Sequence, residues 1–119
     1  MKVAITAQGK TPSDHIDSRF GRAQQFILMD TESEDYEVLD NTQNLNAAQG
    51  AGIQAAQHIV NAGADAVITG HCGPKAFRTL RAANIEIYVG TSGTVEKVFT
   101  TFKNGELKKA DSADVEGHW

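Results

Sequence analysis

The sequence predicts an α/β domain: a mixed five-stranded sheet, an antiparallel meander joined to parallel strands, flanked by three helices. Three observations carry that expectation. Short apolar runs of strand length open the chain, with polar turn residues between them. Three helical stripes follow from Ala47 onward, the first stopped by Gly63 and the second opened by Pro74. From Ala47 onward helix and strand alternate, which is the order of parallel strands joined by right-handed crossovers.

The elements follow in order. Lys2–Ala7 alternates Val3 and Ile5 with smaller residues and reads as a strand. Residues 8–22 form a long polar loop holding Gly9, Pro12, His15 and the segment Asp17-Ser-Arg-Phe-Gly-Arg22. Gln25–Asp30 is a second strand, and Thr31-Glu-Ser-Glu34 turns it into a third, edge-like one, Tyr36–Asp40. Asn41–Asn46 is loop, because three Asn in a short polar run favour turns. Ala47–Ala62 is helical with Ile53, Ala56 and Val60 on one face. Ala66-Val67-Ile68 is a continuous apolar run, hence a strand buried on both sides. A helix begins at Pro74 with Phe77, Leu80 and Ala83 as its stripe, and Ile85–Val89 is a further strand. Gly90-Thr-Ser-Gly93 makes a tight turn into a last helix, Val95–Lys103, whose Val95, Val98, Phe99 and Phe102 fit helical spacing.

Composition bounds the function. A chain of 119 residues is read as one domain, 1–119, with 40% hydrophobic and 22% charged residues as in ordinary globular proteins. No apolar stretch reaches membrane-spanning length, and the first residues are too short and too patterned for a signal peptide. One cysteine, Cys72, makes no intrachain disulfide, which fits a reducing compartment and points to the cytoplasm. A formal net charge of −4 argues against a general nucleic-acid binder.

Topology then gathers the chemistry. With the first strand central, the C-terminal ends of the parallel strands share one rim of the sheet. Four loops converge there: Ser18–Ala23, Asn41–Gly50, Gly70–Lys75 and Gly90–Thr94. Arg19 and Arg22 bring guanidinium forks suited to multiply charged anions, and Lys75 adds a third cation. Gly70 and Gly73 let backbone approach a ligand, and Pro74 opens a helix whose positive end faces the rim. Ser92 and Thr94 are expected to cap the last helix and leave its N–H groups facing the cleft. His71 and Cys72 are candidate metal ligands, with the Cys72 thiol expected in the cleft and its pKa lowered by Lys75 and the helix start.

The segments Arg19-Phe-Gly-Arg-Ala23, Gly50-Ala-Gly-Ile-Gln-Ala-Ala56, Thr69-Gly-His-Cys-Gly-Pro-Lys-Ala-Phe77 and Gly93-Thr-Val95 resemble the dinitrogenase iron–molybdenum cofactor biosynthesis family, in order and over nearly the whole chain. That resemblance implies a ribonuclease-H-like fold and a protein that binds or carries metal–sulfur clusters without being an enzyme. The turn Gly70-His-Cys-Gly-Pro74 is most similar to the orange-protein branch, which implies a molybdenum–copper–sulfide cluster held without conventional covalent anchoring. An iron–molybdenum–sulfur species is the alternative cargo the family implies, with donor and acceptor proteins as further partners.

Other readings compete at the same residues. A lone cysteine is commonly a small buried hydrophobe. His71-Cys72, five residues, then Arg78 matches the signature of cysteine-dependent phosphatases, in which a thiolate at a helix N-terminus attacks phosphorus. Against it, Lys75 stands where those loops carry glycine, and no acid loop is recognisable. A small-oxyanion or sulfur-binding module would use the same rim. His58 falls off the Ile53–Val60 face and reads as solvated, His15 as a surface residue near the arginines, and His118 and Trp119 as a frayed end. Arg78 and Arg81 are placed on the exposed side of their helix.

Overall fold

A computed structural model describes residues 1–41 and 51–111. The elements are β1 (Lys2–Ala7), β2 (Gln25–Asp30), β3 (Tyr36–Asp40), α1 (Ala51–Asn61), β4 (Ala66–Ile68), α2 (Pro74–Ala82), β5 (Glu86–Tyr88) and α3 (Val95–Lys103). They form one mixed sheet in the order β3-β2-β1-β4-β5, with β1 central. β1 and β2, and β2 and β3, are antiparallel; β1 with β4 and β4 with β5 are parallel. The expected meander and crossovers are therefore both present. No described helix is long and apolar enough to cross a membrane.

The strand period of two sorts side chains into two cores. Val3, Ile5 and Ala7 of β1, Ile27 and Met29 of β2, and Ala66 and Ile68 of β4 pack with Val95, Val98 and Phe99 of α3. Ala4, Phe26, Leu28, Val67 and Ile87 face the other way, against Ala55, Ala56 and Ile59 of α1 and Phe77 and Leu80 of α2. Two helices thus cover one face and a single helix the other, which leaves β3 thinly covered on the α3 side. Tyr36 and Val38 are exposed there as a result.

The expectations need adjustment at α1 and at β5. Residues 47–50, read as the first turn of α1, lie outside the described residues, as do 42–46 and the tail from 112. The buried face of α1 is Ala51, Ala55, Ala56 and Ile59, with Ile53 and Val60 only half-buried. The expected stripe through Ile53 and Val60 is rotated because small residues decide the contact. A Cβ on Gly52 would stand 3.2 Å from the Ala76 Cβ, so α1 and α2 cross close together. β5 is shorter than the expected Ile85–Val89, since the Ile85 N–H is spent on Leu80 O at 3.0 Å in closing α2. Asn84, at φ 61, makes that closure, as Gly63, at φ 84, does for α1 through Ala64 N–H to Ile59 O (3.3 Å).

Candidate functional site

The rim at the C-terminal ends of β1, β4 and β5 is built from loops that bind one another. The β1 loop pairs with the other two through isolated bridges, His15 with Thr94 and Arg19 with His71. Ile16 donates its N–H to Gly93 O (2.9 Å), Phe20 to His71 O (3.2 Å), and Gly90 to Gly70 O (2.8 Å). Along the way this loop passes from one face of the sheet to the other. Ile16 packs in the α3 core, while Phe20 packs in the α1/α2 core against Phe26, ring centroids 5.4 Å apart.

Buried hydroxyls hold the crossing point. Thr6 and Thr69 are both fully buried. Their Oγ1 atoms are 3.0 Å apart, and Thr6 Oγ1 donates to Asp17 O at 2.7 Å. Thr6 O takes the Asp17 N–H (2.9 Å), and the Asp17 carboxylate takes the Arg19 N–H (3.0 Å). Thr91 Oγ1 donates to Thr69 O at 2.9 Å, so Thr69 ties β1, through Thr6, to the loop after β5. Asn41, also fully buried, donates from Nδ2 to Ala23 O (2.8 Å) and Gly21 O (3.4 Å), holding the backbone on both sides of Arg22. Sequence reasoning missed Thr6, Thr69, Asn41 and the anchor role of Phe20. Nothing in their local spacing signals them, because each acts on a segment distant in the chain.

Two glycines of the rim, Gly70 and Gly21, are steric. A Cβ on Gly70 would lie 2.7 Å from Ser18 O and 2.8 Å from Ser18 Cα, and one on Gly21 2.9 Å from Gly52 N and Cα. Backbone packs on backbone at both points. Arg19 and Lys75 are exposed, and His71, Gly73 and Arg22 are half-buried. The pairing of 19 with 71 and the step from 71 to the start of α2 at Pro74 place Arg19, Gly70, His71, Gly73 and Lys75 on one part of the rim.

The starts of α2 and α3 on the rim differ. At α3, Thr94 caps by accepting from Lys97 N–H (3.2 Å), and Val95 and Glu96 give their N–H groups to Asp14 O (2.9 Å) and Pro12 O (2.8 Å). The expectation that Ser92 and Thr94 leave this helix start open to a ligand is therefore corrected: the β1 loop occupies it. Its side chains also belong to the α3 core, on the far face from Phe77. At α2 the N-cap is Gly73, with no side-chain cap, and Pro74 follows. Phe77 N–H is taken by Gly73 O at 2.9 Å, while the Lys75 and Ala76 N–H groups have no partner among the described residues. Of these two starts, that of α2 keeps donors with no partner among the described residues, and the Arg19–His71 pairing adjoins it.

Cys72 requires the larger correction. Its side chain is 0% exposed and packs in the α1/α2 core, with Sγ 3.7 Å from Gly73 O. The thiol does not face the cleft; it anchors the His71–Gly73 turn from below. Cys72 is buried and Arg78 is exposed on α2, whereas the phosphatase reading needs both groups open to one phosphoryl group. Among the described residues no group of three or more His, Cys, Asp or Glu could hold a metal ion. His15 is exposed and bonded to the α3 side of the rim through Thr94. His58, expected in solvent, is half-buried, and its Nδ1 has no hydrogen-bond partner among the described residues. Arg78 and Arg81 are exposed as expected, Arg81 lying 5.7 Å over the Phe77 ring.

Comparison with known proteins agrees with this architecture. The structure is similar to the apo form of the orange protein from Desulfovibrio gigas, at 36% identity and a TM-score of 0.94, covering 96% of each chain. It is also similar to a Thermotoga protein of the DUF35 family provisionally described as NifB: 37% identity, TM-score 0.84, 98% of each chain. An uncharacterized protein of Methanocaldococcus jannaschii is 29% identical over 112 residues, 92% of this chain and 91% of that one. The family described as dinitrogenase iron–molybdenum cofactor matches residues 1–105, and this chain belongs to that family.

Proposed function

We propose that this protein binds and carries an anionic metal–sulfur cluster on the rim, as a carrier and not a catalyst. The family and the likeness to the orange protein support a cluster-handling role. The observation that carries the site is the α2 start, where two N–H groups with no partner among the described residues lie next to the Arg19–His71 pairing. Donors of that kind suit a preformed anion that brings its own sulfide. Arg19, Arg22 and Lys75 supply charge, the turn Gly70–Gly73 supplies close backbone, and His71 is the side chain we assign to contact with the cargo. Cys72 supports the turn from the core without ligating metal. Ser92 and Thr94 shape the far end of the rim. The cargo we favour is a molybdenum–copper–sulfide cluster, with an iron–molybdenum–sulfur species as the alternative. Cytoplasmic donor and acceptor proteins would load and unload it.

The test is anaerobic titration of the full chain with tetrathiomolybdate and Cu(I), followed by visible absorption and metal analysis after desalting. Stoichiometric retention that weakens with salt supports the proposal. Arg19→Ala should weaken retention about 10–150-fold, the worth of one charge-assisted contact at about 1.5–3 kcal/mol, with the melting curve unchanged. Tight zinc uptake with no retention of any sulfido-cluster overturns it. Retention of sulfate or tungstate in place of the cluster would assign the rim to simple oxyanions instead.

A further inference from the structure

We infer that the outer edge of β3 is a docking strand for an extended segment of another protein, one that alternates apolar and basic residues.

Three independent features meet there. The first is backbone. β3 is the end strand of the sheet, paired on one side only among the described residues. The bonds Asp30 N–H to Asp35 O (3.0 Å) and Asn41 N–H to Gln24 O (3.0 Å) bracket the β2–β3 ladder. In an antiparallel pair hydrogen-bonded positions recur every second residue, so Glu37 and Leu39 bond to β2. Tyr36 and Val38 therefore point their N–H and C=O groups outward, away from the sheet.

The second feature is apolar surface. Tyr36 and Val38 are 46% and 37% exposed, on the face shared with Met29 and Ile27. The only other exposed large hydrophobic residue among those described is Met1, whose carbonyl takes the Thr31 N–H of the same hairpin (2.9 Å). A groove of about 770 Å³ beside Tyr36 continues along Met29, Phe99 and Lys103 of the thinly covered face.

The third is charge. From Ala23 to Asn41 the chain has six acidic residues, Asp30, Glu32, Glu34, Asp35, Glu37 and Asp40, and no lysine or arginine. The remaining 100 residues hold nine acidic and eleven basic side chains, a formal +2, so the hairpin carries the whole negative excess of the protein. Lys103 offsets part of it by pairing with Glu34 at 2.6 Å.

These features choose the occupant. A second copy of this chain would set two such acidic hairpins edge to edge, which repels. A strand with apolar side chains beside Tyr36 and Val38 and basic ones on the opposite face, beside Glu37, satisfies backbone, surface and charge together.

The test uses the full ¹⁵N-labelled chain and a synthetic extended peptide alternating valine and lysine. Binding should slow hydrogen exchange most at the Tyr36 and Val38 amides and should weaken with salt. Val38→Pro removes an outward N–H that β2 does not use, and should cut affinity at least about tenfold with the sheet intact. Glu37→Lys, at an exposed position, is a second variant that should weaken binding by charge alone. The inference fails if neither variant weakens binding, or if a valine–glutamate peptide binds equally well. It also fails if the peptide-free protein dimerises with the same amides protected, since a second copy would then be the occupant.

Discussion

Replacing Gly70 by alanine tests the way the rim is assembled. The new Cβ would stand 2.7 Å from Ser18 O and 2.8 Å from Ser18 Cα, where ordinary contact begins at 3.4 Å. Both neighbours are backbone, so relief requires one loop to retreat about 0.7 Å from the other. That retreat loosens Phe20 N–H to His71 O, already 3.2 Å long, and disturbs Gly90 N–H to Gly70 O at 2.8 Å. Overpacking of this kind costs about 1–3 kcal/mol, and a weakened hydrogen bond about 0.5–1.5 kcal/mol. The stiffer unfolded chain returns about 0.4–1 kcal/mol. The net expectation is about 2 kcal/mol, which for a domain of this size lowers Tm by about 6–12 °C. Gly52→Ala is the milder comparison: its Cβ would stand 3.2 Å from the Ala76 Cβ and 4.0 Å from Ala76 N, within a helix that favours alanine. Thermal unfolding by circular dichroism compares the two. A Gly70→Ala protein that melts within about 1 °C of wild type would refute the close docking of the Arg19 loop on the His71 turn.

Other expectations are checked the same way. Cys72 should resist alkylation in the native protein and react on denaturation, and Cys72→Ser should cost about 1–3 kcal/mol through its buried hydroxyl while leaving the spectrum of any bound cluster similar. Thr69→Val keeps the shape and loses the bond to Thr6, so it should destabilise by about 1 kcal/mol, with Thr69→Ser restoring most of that in denaturant melts. The backbone N–H groups of Glu32 and then Ser33 hold the Asp30 carboxyl below its usual value, outweighing burial, which acts the other way. A depressed folded pKa gives stability that is present above the unfolded value, about 3.9, and lost as pH falls through the folded one. Asp30→Asn should therefore flatten the acid limb of the stability curve, measured as denaturant midpoint against pH.

Much of the architecture was legible because local pattern carries it. Alternation in Lys2–Ala7, the run Ala66–Ile68 and the spacing of Val95, Val98 and Phe99 each place an element within a residue or two of where it lies. The order of elements then implies which strands run parallel, and so which loops share a rim. The α1 stripe was misjudged for a physical reason: ranking by hydrophobicity favours Ile53 and Val60, whereas close helix crossing at Gly52 and Ala76 favours small residues. The Cys72 expectation failed similarly. Polar and glycine neighbours suggest an open turn, but a buried thiol fills the space beneath it.

By itself the sequence determined the fold class, the edge position of β3, the family motifs and the cations that could meet an anion. These follow from periodicity, turn chemistry and residue type, all read within a few positions. Only the tertiary structure decided which groups at the rim are available. The α3 start is closed by carbonyls of Pro12 and Asp14, the α2 start keeps two donors, and Cys72 lies in the core. Those outcomes depend on contacts between loops tens of residues apart, and a buried backbone group takes whichever partner the packing brings to it.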